Sequence, residues 1–210
     1  MSLFVVGVDL GQAQDYTAIC VVEATGTELV DFQLRYLERL ALGTTYPRIV
    51  ERVEEIVRRL PSGGWRLAVD ATGVGAGVID ILEQAALQPI AITITGGDSV
   101  QGEGRRWRVP KRDLVAVLTV AFQAGRLKIA EALPLAGVFA KELLNFRVKI
   151  DARTAHDTYG SWREGEHDDL VLAVALACWQ ADRSCKPSPF SSMKEIVATV
   201  TRRKGRFRVE

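Results

Sequence analysis

The sequence predicts an α/β fold in which a central mixed β-sheet, an antiparallel meander followed by parallel strands, is flanked by helices. Three segments rich in valine and isoleucine, residues 3–9, 17–23 and 28–38, are joined by short glycine-containing turns, which is typical of an antiparallel meander. The order strand, helix, strand over residues 66–95 is typical of a parallel crossover. Residues 167–182 are apolar on nearly every helical face, which predicts a buried helix.

The first predicted helix covers residues 45–60, where apolar side chains recur with helical spacing. Thr45 is its expected cap, and Pro47 fits the first turn because its missing N–H is not needed there. Pro110 is expected to open a later helix, after a glycine-rich loop at residues 96–104. The other predicted elements are strands at 66–70, 89–95 and 126–130, helices at 77–86, 109–124 and 133–145, and a hairpin at 146–159.

Composition excludes several classes of protein. With 48% apolar and 25% charged residues among 210, the chain can bury a core, and we expect one domain at residues 1–185 and a basic tail at 186–210. The net charge of +1 lacks the strong positive charge of many nucleic-acid binders, so any nucleic-acid partner must be met by a local patch. Three cysteines without CxxC spacing indicate reduced thiols and a cytosolic setting. No signal-like or membrane-spanning apolar run occurs, so no membrane partner is expected.

Carboxylates stand where apolar segments begin or end. Asp9 and Asp70 each end a predicted strand, and Asp168 and Asp169 open the buried helix. We expect all of them to converge on one edge of the mixed sheet, where mutual repulsion and the cost of burial require a compensating cation. Oxygen-rich sites suit Mg²⁺ or Mn²⁺, and a pair of such ions catalyses attack of water on a phosphodiester. The pattern therefore indicates a two-metal phosphodiester hydrolase.

Each carboxylate also has an ordinary structural interpretation. Asp9, Asp15 and Asp70 are typical turn residues, and Asp70 is also suited to cap a helix. Asp168 and Asp169 favour the first turn of a helix because they complement its dipole. Spacing alone does not separate these interpretations from a metal site.

Basic residues provide a candidate DNA-binding surface. A cluster of positive charge follows the glycine-rich loop; it either contacts a phosphate backbone or is a solvated loop and helix start. The tail over residues 194–210, with six basic residues against two acids, either touches DNA or a partner protein or is a solvated end. His167, beside the acidic pair, is a candidate ligand or proton carrier, or else a cap or surface residue. The predicted DNA-binding residues are Arg105, Arg106, Trp107, Arg108, Lys111 and Arg112.

A family resemblance is carried by six segments in order: DLG with DYTA, VDATGVGAGVIDIL, WRVPKRDLV, FQAGRLKI, KELLNF and EGEHDDLVLAVALA. Together they resemble the nuclease domain at the C-terminal end of the large terminase subunits of tailed bacteriophages, over residues 3–183. The resemblance implies an RNase H-like fold and cutting of double-stranded DNA with divalent metal during genome packaging. It also implies that Asp9, Asp70 and Asp169 are metal ligands. Asp168 would adjoin them and share a second ion, and Asp15 would be a supporting polar residue.

The family also carries a packaging ATPase, whose GxxxxGK[ST] phosphate loop is absent from this sequence. The chain is therefore expected to be an excised domain or a stand-alone nuclease rather than the motor. The implied partners are double-stranded DNA and, in a packaging machine, the ATPase domain, the portal or the small terminase subunit. The implied location is the cytoplasm of the bacterial host.

Two other classes of function stay open. The segment VGVDLGQAQDYTAICVVE also resembles the first phosphate-binding hairpin of actin-like and sugar-kinase ATPases, although the chain is short for their two-domain arrangement. The other alternative is a catalytically silent RNase H-like scaffold that binds packaging partners, and the intact carboxylates argue against it. Metal-dependent nicking of plasmid DNA, compared with thermal stabilisation by ATP, distinguishes these classes.

Overall fold

The computed structural model of the chain describes residues 2–11, 15–73, 75–145, 147–150, 157–160 and 168–186. Within these residues the helices are α1 (Tyr46–Val57), α2 (Gly75–Gln84), α3 (Lys111–Gln123), α4 (Ala136–Asn145) and α5 (Asp169–Cys185). The strands are β1 (Leu3–Asp9), β2 (Ala18–Thr25), β3 (Asp31–Arg39), β4 (Trp65–Asp70), β5 (Pro89–Thr95), β6 (Gln101–Glu103), β7 (Arg106–Pro110), β8 (Leu127–Ile129), β9 (Arg147–Ile150) and β10 (Asp157–Gly160).

The main sheet, as far as the described residues show it, has eight strands in the order β6-β7-β5-β4-β1-β2-β3-β8. β1, β2 and β3 form the predicted antiparallel meander, and β4 and β5 extend the sheet in parallel beyond β1. The predicted hairpin forms separately, as β9 paired with β10. The α/β fold with a mixed sheet is therefore confirmed.

Helices cover both faces of the sheet, and the alternation of side chains along each strand decides which layer they meet. Val5 and Cys20 belong to the core on the face that carries α3, α4 and α5. Val6 and Val8 belong to the core on the opposite face, which carries α1 and α2. The first thirteen residues of α5 are buried, as the apolar sequence of this segment predicts.

A glycine lets α5 lie close against β1. A Cβ atom on Gly7 would be 2.2 Å from the carbonyl oxygen of Ala173 and 3.0 Å from the Sγ atom of Cys20. The thiol of Cys20 donates a hydrogen bond to the same carbonyl oxygen at 3.3 Å. The close approach fixes where the first residues of α5 lie relative to the end of β1.

The prediction of a loop at residues 96–104 is partly wrong, because Gln101–Glu103 form β6. The basic residues after it form β7, which pairs with β6 and lies parallel to β5. Trp107 and Val109 pack toward the core, whereas Arg106 and Arg108 are exposed, which is the period of two expected of a strand. The density of glycine and positive charge hid this alternation in the sequence.

The third helix begins two residues later than predicted, at Lys111, because Val109 and Pro110 complete β7. Pro110 holds the N-cap position with an extended backbone, so it separates the strand from the helix. Within the described ranges, every helix is too short or too polar to cross a membrane. The predicted basic tail beyond Lys186 lies outside the described residues.

Candidate active site

The first two predicted carboxylates end adjacent parallel strands. The register pairs Val8 of β1 with Val69 of β4, so Asp9 and Asp70 follow as neighbours at the carboxyl ends of these strands. Ala68, two positions before Asp70, belongs to the core beneath α5, so alternation places Asp70 on that same face. Asp9 is nearly inaccessible to solvent, with 8% of its surface exposed.

Asp70 also makes the turn that follows β4. Its Oδ1 atom accepts a hydrogen bond from the backbone N–H of Thr72 at 2.8 Å, as in an Asx turn. The bond occupies one lone pair of a carboxylate that has about four acceptor positions. The turn interpretation and a role beside Asp9 are therefore compatible.

The other two predicted carboxylates begin α5. Asp168 holds the N-cap position, but its side chain makes no capping hydrogen bond. Its Oδ2 atom instead accepts a hydrogen bond from Nζ of Lys111 at 3.1 Å. Asp169 is the first helical residue and is buried, and a carboxylate that only complements the helix dipole has no need of burial. Capping therefore does not explain this acidic pair.

The four carboxylates act on one another electrostatically. Burial raises the pKa of Asp9 well above its ordinary value, and the negative charges of Asp70, Asp168 and Asp169 raise this pKa further. A hydrogen bond between the side chains of Asp9 and Asp70 adds to the same shift, because it favours the protonated acid. The fold thus brings together the carboxylates that the sequence places at separate strand and helix ends.

Arg39 and Lys111 offset part of this negative charge. Arg39 ends β3. Its guanidinium donates two hydrogen bonds to Asp169, from Nε to Oδ2 at 2.7 Å and from Nη2 to Oδ1 at 3.0 Å. It also forms an ion pair with Glu142 of α4 and lies 5.0 Å from the ring centroid of Tyr16. Lys111 forms the ion pair with Asp168.

Sequence reasoning missed Arg39 and Glu142. Burial raises the pKa of Glu142 to about 7, even though the adjacent Arg39 lowers it. The available signals were a charged residue directly after the apolar part of β3 and a single acid inside the KELLNF segment. Neither signal identifies its partner, because Arg39, Glu142 and Asp169 meet only when three elements pack together.

The donor chemistry of the site fits a hard divalent ion, because carboxylate oxygens are the ligands that Mg²⁺ and Mn²⁺ prefer. In the part of the chain that the structure describes, no group of three or more histidine, cysteine, aspartate or glutamate side chains is placed to hold a metal ion. Asp169 and Asp168 are engaged by Arg39 and Lys111 instead. Joint ligation of an ion therefore requires these carboxylates to draw closer to Asp9 and Asp70.

Asp15, one of the two predicted supporting residues, is not among the charges that act on Asp9. Asp15 is exposed and lines a cavity of about 430 Å³ together with Gly11, Thr17 and Thr45. The backbone N–H of Gly11 donates to the hydroxyl of Thr17 at 3.1 Å, which closes the turn before β2. His167 lies outside the described residues, and its predicted role stays a prediction.

The predicted DNA-binding residues divide into two sets. Lys111 and Arg112 are engaged within the protein, since Arg112 donates to Oδ1 of Asp98 at 2.8 Å and Lys111 pairs with Asp168. Trp107 is half-buried, and the centroid of its ring lies 6.1 Å from that of Trp179. The guanidinium of Arg183 covers the face of the Trp107 ring. The exposed set is Arg105, Arg106 and Arg108.

Comparison with known proteins agrees with the fold and the order of these elements. The family model described as the terminase RNase H-like domain matches residues 6–180. The crystal structure of the large terminase nuclease from thermophilic phage G20c is similar, with 21% identity, a TM-score of 0.59, and coverage of 84% of this chain and 81% of that chain.

The nuclease domain of the large terminase from bacteriophage SPP1, with bound Mn, is similar with 12% identity, a TM-score of 0.52, and coverage of 83% of this chain and 84% of that chain. Both similarities lie at identities that show the fold alone. No curated protein sequence matches the chain. The family model, by contrast, spans the sheet and the buried helix α5 almost completely. The chain therefore belongs to the terminase RNase H-like domain family.

Proposed function

We propose that the chain is a divalent-metal-dependent endonuclease that cuts double-stranded DNA during phage genome packaging. The observation that carries the proposal is the buried Asp9, on which the negative charges of Asp70, Asp168 and Asp169 act. A buried carboxylate near other negative charges costs stability, so its presence is better explained by a ligand of opposite charge than by packing. The family to which the chain belongs supports a nuclease role.

In the proposed site, Asp9, Asp70 and Asp169 hold one ion and Asp168 contributes to a second. Bound divalent ions supply the charge that activates a water molecule and stabilises the departing oxygen of the phosphodiester. The bound Mn of the SPP1 nuclease domain supports this choice of ion. Asp15, outside the group, remains a proposed supporting residue.

The protein's own side chains keep the carboxylates together when no ion is bound. Arg39 and Lys111 each pair with one residue of the acidic pair, and Asp9 shares a hydrogen bond with Asp70. Each of these contacts favours carboxylates that face one another over carboxylates that separate. The carboxylates are therefore held near one another before an ion binds, and binding would draw them closer together.

Cutting of supercoiled plasmid DNA with Mn²⁺, with Mg²⁺ and with EDTA tests the proposal. Asp9→Asn and Asp169→Asn keep the size of the side chain but remove its charge, so we expect the cutting rate to fall by about 10²-fold or more, because the metal chemistry depends on these ligands. Asp98→Asn is the matched control, since Asp98 is an exposed acid that pairs with Arg112 away from the group. Equal rates for the parent and for Asp9→Asn, or cutting that persists in EDTA, would overturn the proposal.

A further inference from the structure

Arg39 occupies an unusually constrained position for an arginine at the end of a strand. Its guanidinium bonds both carboxylate oxygens of Asp169, pairs with Glu142 and faces the ring of Tyr16. Only 17% of its side chain is exposed, against 7% for Asp169. Paired hydrogen bonds of this kind fix the plane of a carboxylate as well as its position.

A β-bulge places Arg39 on the correct face of the sheet. β2 pairs with β3 from Ala18 opposite Arg39, but the register shifts by one residue between Val21 and Val22, where Arg35 is left without an opposite residue. Leu34 before the bulge and Leu37 after it therefore both belong to the core beneath α5. Side chains two residues apart in a regular strand point to the same face. Without the extra residue, Leu37 and Arg39 would therefore point to the face opposite that of Leu34.

The same row of the sheet contains Asp9. Asp9 lies opposite Ala18, and Ala18 lies opposite Arg39, so the three residues form one line across β1, β2 and β3. Directly opposed residues of antiparallel strands point to the same face. Arg39 thus reaches the end of α5 from the same side as Asp9, with only the small side chain of Ala18 between them.

Glu142 holds Arg39 and also lies against the first turn of α5, where the backbone N–H of Leu170 donates a hydrogen bond to its side chain. Its side chain is 9% exposed, it pairs with Arg39 through Oε1, and no described residue donates a hydrogen bond to its buried Oε2. Burial of an ion pair with an unsatisfied oxygen is a poor way to stabilise a fold. Such an arrangement is more typical of outer partners that orient the ligands of a metal.

We infer that Arg39 is a positioning residue for Asp169, and that Glu142 holds Arg39 in place through the ion pair between them. The inference rests on the proposed function, since it requires Asp169 to be a metal ligand. Arg39 donates one hydrogen bond to each oxygen of Asp169, whereas a carboxylate has about four acceptor positions. Arg39 alone therefore orients the carboxylate without filling all of its acceptor positions.

Binding of Mn²⁺, measured from the electron paramagnetic resonance signal of the free ion, separates this role from simple electrostatics. Arg39→Gln removes a positive charge, and charge alone would make Mn²⁺ bind more tightly. If Arg39 orients Asp169, its loss weakens Mn²⁺ binding instead. We then expect the Kd for Mn²⁺ to rise by about 10-fold or more, as for other outer partners of metal ligands. Arg39→Lys keeps the charge but cannot form the bidentate pair of hydrogen bonds to Asp169, so we expect it to weaken Mn²⁺ binding as well.

Glu23→Gln is the matched control, because Glu23 forms another arginine–glutamate pair between β2 and β3, with Nη2 of Arg35 to Oε2 of Glu23 at 2.7 Å. We expect this variant to bind Mn²⁺ as the parent does. Glu142→Gln is expected to weaken binding several-fold. It should add little in the Arg39→Lys background, since both changes disrupt one linked contact.

Circular dichroism establishes which variants fold, and Arg39→Lys and Glu142→Gln carry the test if Arg39→Gln does not. A Kd for Mn²⁺ within twofold of the parent value in the folded variants, or a lower one, overturns the inference and leaves the proposed function intact. A parent protein that binds no Mn²⁺ at millimolar concentration overturns both. Weaker binding in Arg39→Gln and Arg39→Lys, with an unchanged control, supports the positioning role.

Discussion

Asp9 and Asp70 lie side by side at the carboxyl ends of two adjacent parallel strands. Burial raises the pKa of Asp9 well above its ordinary value, and the negative charge of Asp70 raises this pKa further, so the ionised form of Asp9 is disfavoured in the folded protein. In the absence of a cation, the ionised form of Asp9 is therefore a source of instability. This cost is the physical basis of the first two predictions.

Asp9→Asn is expected to stabilise the metal-free protein at pH 7.5. The folded-state pKa of Asp9 is raised above its unfolded value, so the folded state binds the proton more tightly and stability is lost as the pH rises through that window. Asparagine removes the charge and can still donate to Asp70. Each kcal/mol recovered raises Tm by about 2–4 °C in a chain of this size.

Thermal melts in EDTA, recorded between pH 4.5 and pH 7.5, measure this effect. The difference in Tm between Asp9→Asn and the parent should shrink toward the acid end, because the folded and unfolded states differ less in proton binding as the pH falls toward the unfolded-state pKa of Asp9. Asp98→Asn, at an exposed ion pair, should show no such trend. A parent protein that is more stable than Asp9→Asn at pH 7.5 would contradict the assigned cost.

Mn²⁺ is expected to raise the Tm of the parent protein in proportion to the logarithm of its concentration, because the ion binds the folded state in preference to the unfolded one. A Mn²⁺ concentration of 100 times the Kd corresponds to about 2.7 kcal/mol of stabilisation of the folded state. Asp70→Asn should reduce the shift, since Asp70 is one of the neighbours of Asp9. An equal shift in Asp70→Asn would place the ion elsewhere, and the absence of any shift at millimolar Mn²⁺ would contradict the metal site.

Local sequence patterns were sufficient to predict the central strands of the sheet and the strand ends that carry Asp9 and Asp70, but not β6 and β7. The period of two in β1 and the strand, helix, strand order around β4 and β5 are short-range features, and parallel strands of one sheet necessarily end on the same edge. The all-round apolar character of α5 likewise predicts its burial, and with it the location of Asp169.

Arg39 and Glu142 could not be predicted in the same way. The face that Arg39 occupies depends on a one-residue bulge in β3, and the sequence of β3 does not show where that bulge falls. Glu142 reaches Arg39 only through the packing of α4, over a separation of 103 residues. Both contacts are consequences of tertiary structure, whereas periodicity reports only which side of an element is apolar.

Gly7→Ala is expected to destabilise the protein and to disturb the site. The added Cβ would lie 2.2 Å from the carbonyl oxygen of Ala173, which is backbone and cannot rotate away, so α5 must shift outward. Overpacking of this kind costs about 1–3 kcal/mol, and here the displaced helix also carries Asp169. The measurements are Tm and the Kd for Mn²⁺, both of which should worsen.

Gly77→Ala is the matched control for that substitution, because a Cβ on Gly77, within α2, would meet no atom within 4 Å. Alanine is favoured over glycine in a helix by about 0.5–1 kcal/mol, so this variant should be as stable as the parent or more stable. A Gly7→Ala variant that melts with the parent would show that α5 can move away from β1 at no cost.

The exposed arginines in and just before β7, Arg105, Arg106 and Arg108, are predicted to contribute unequally to DNA binding. β7 runs parallel to β4 and β5, so Arg108 lies toward the edge of the sheet where Asp70 ends β4, and Arg105 lies about 10 Å farther back along the strand direction. Arg105 lines a separate cavity with Trp65 at the opposite end of the strands. Measured along the strands, Arg108 is therefore nearer than Arg105 to the level of the carboxylates, although alternation places its side chain on the opposite face of the sheet from Asp70.

Fluorescence anisotropy on a duplex across a salt series, with Asp9→Asn protein to prevent cutting, tests this difference. Each phosphate contact contributes about −0.9 to the slope of log affinity against log salt, so Arg108→Ala should flatten the slope by about that amount and Arg105→Ala should leave it unchanged. The loss should be the same on two unrelated sequences, because contacts to the backbone carry no sequence information. Unchanged slopes in both variants and in the triple replacement of Arg105, Arg106 and Arg108 would mean that this edge is only a solvated surface, and equal losses would mean that the duplex follows the whole strand rather than its end at the carboxylates.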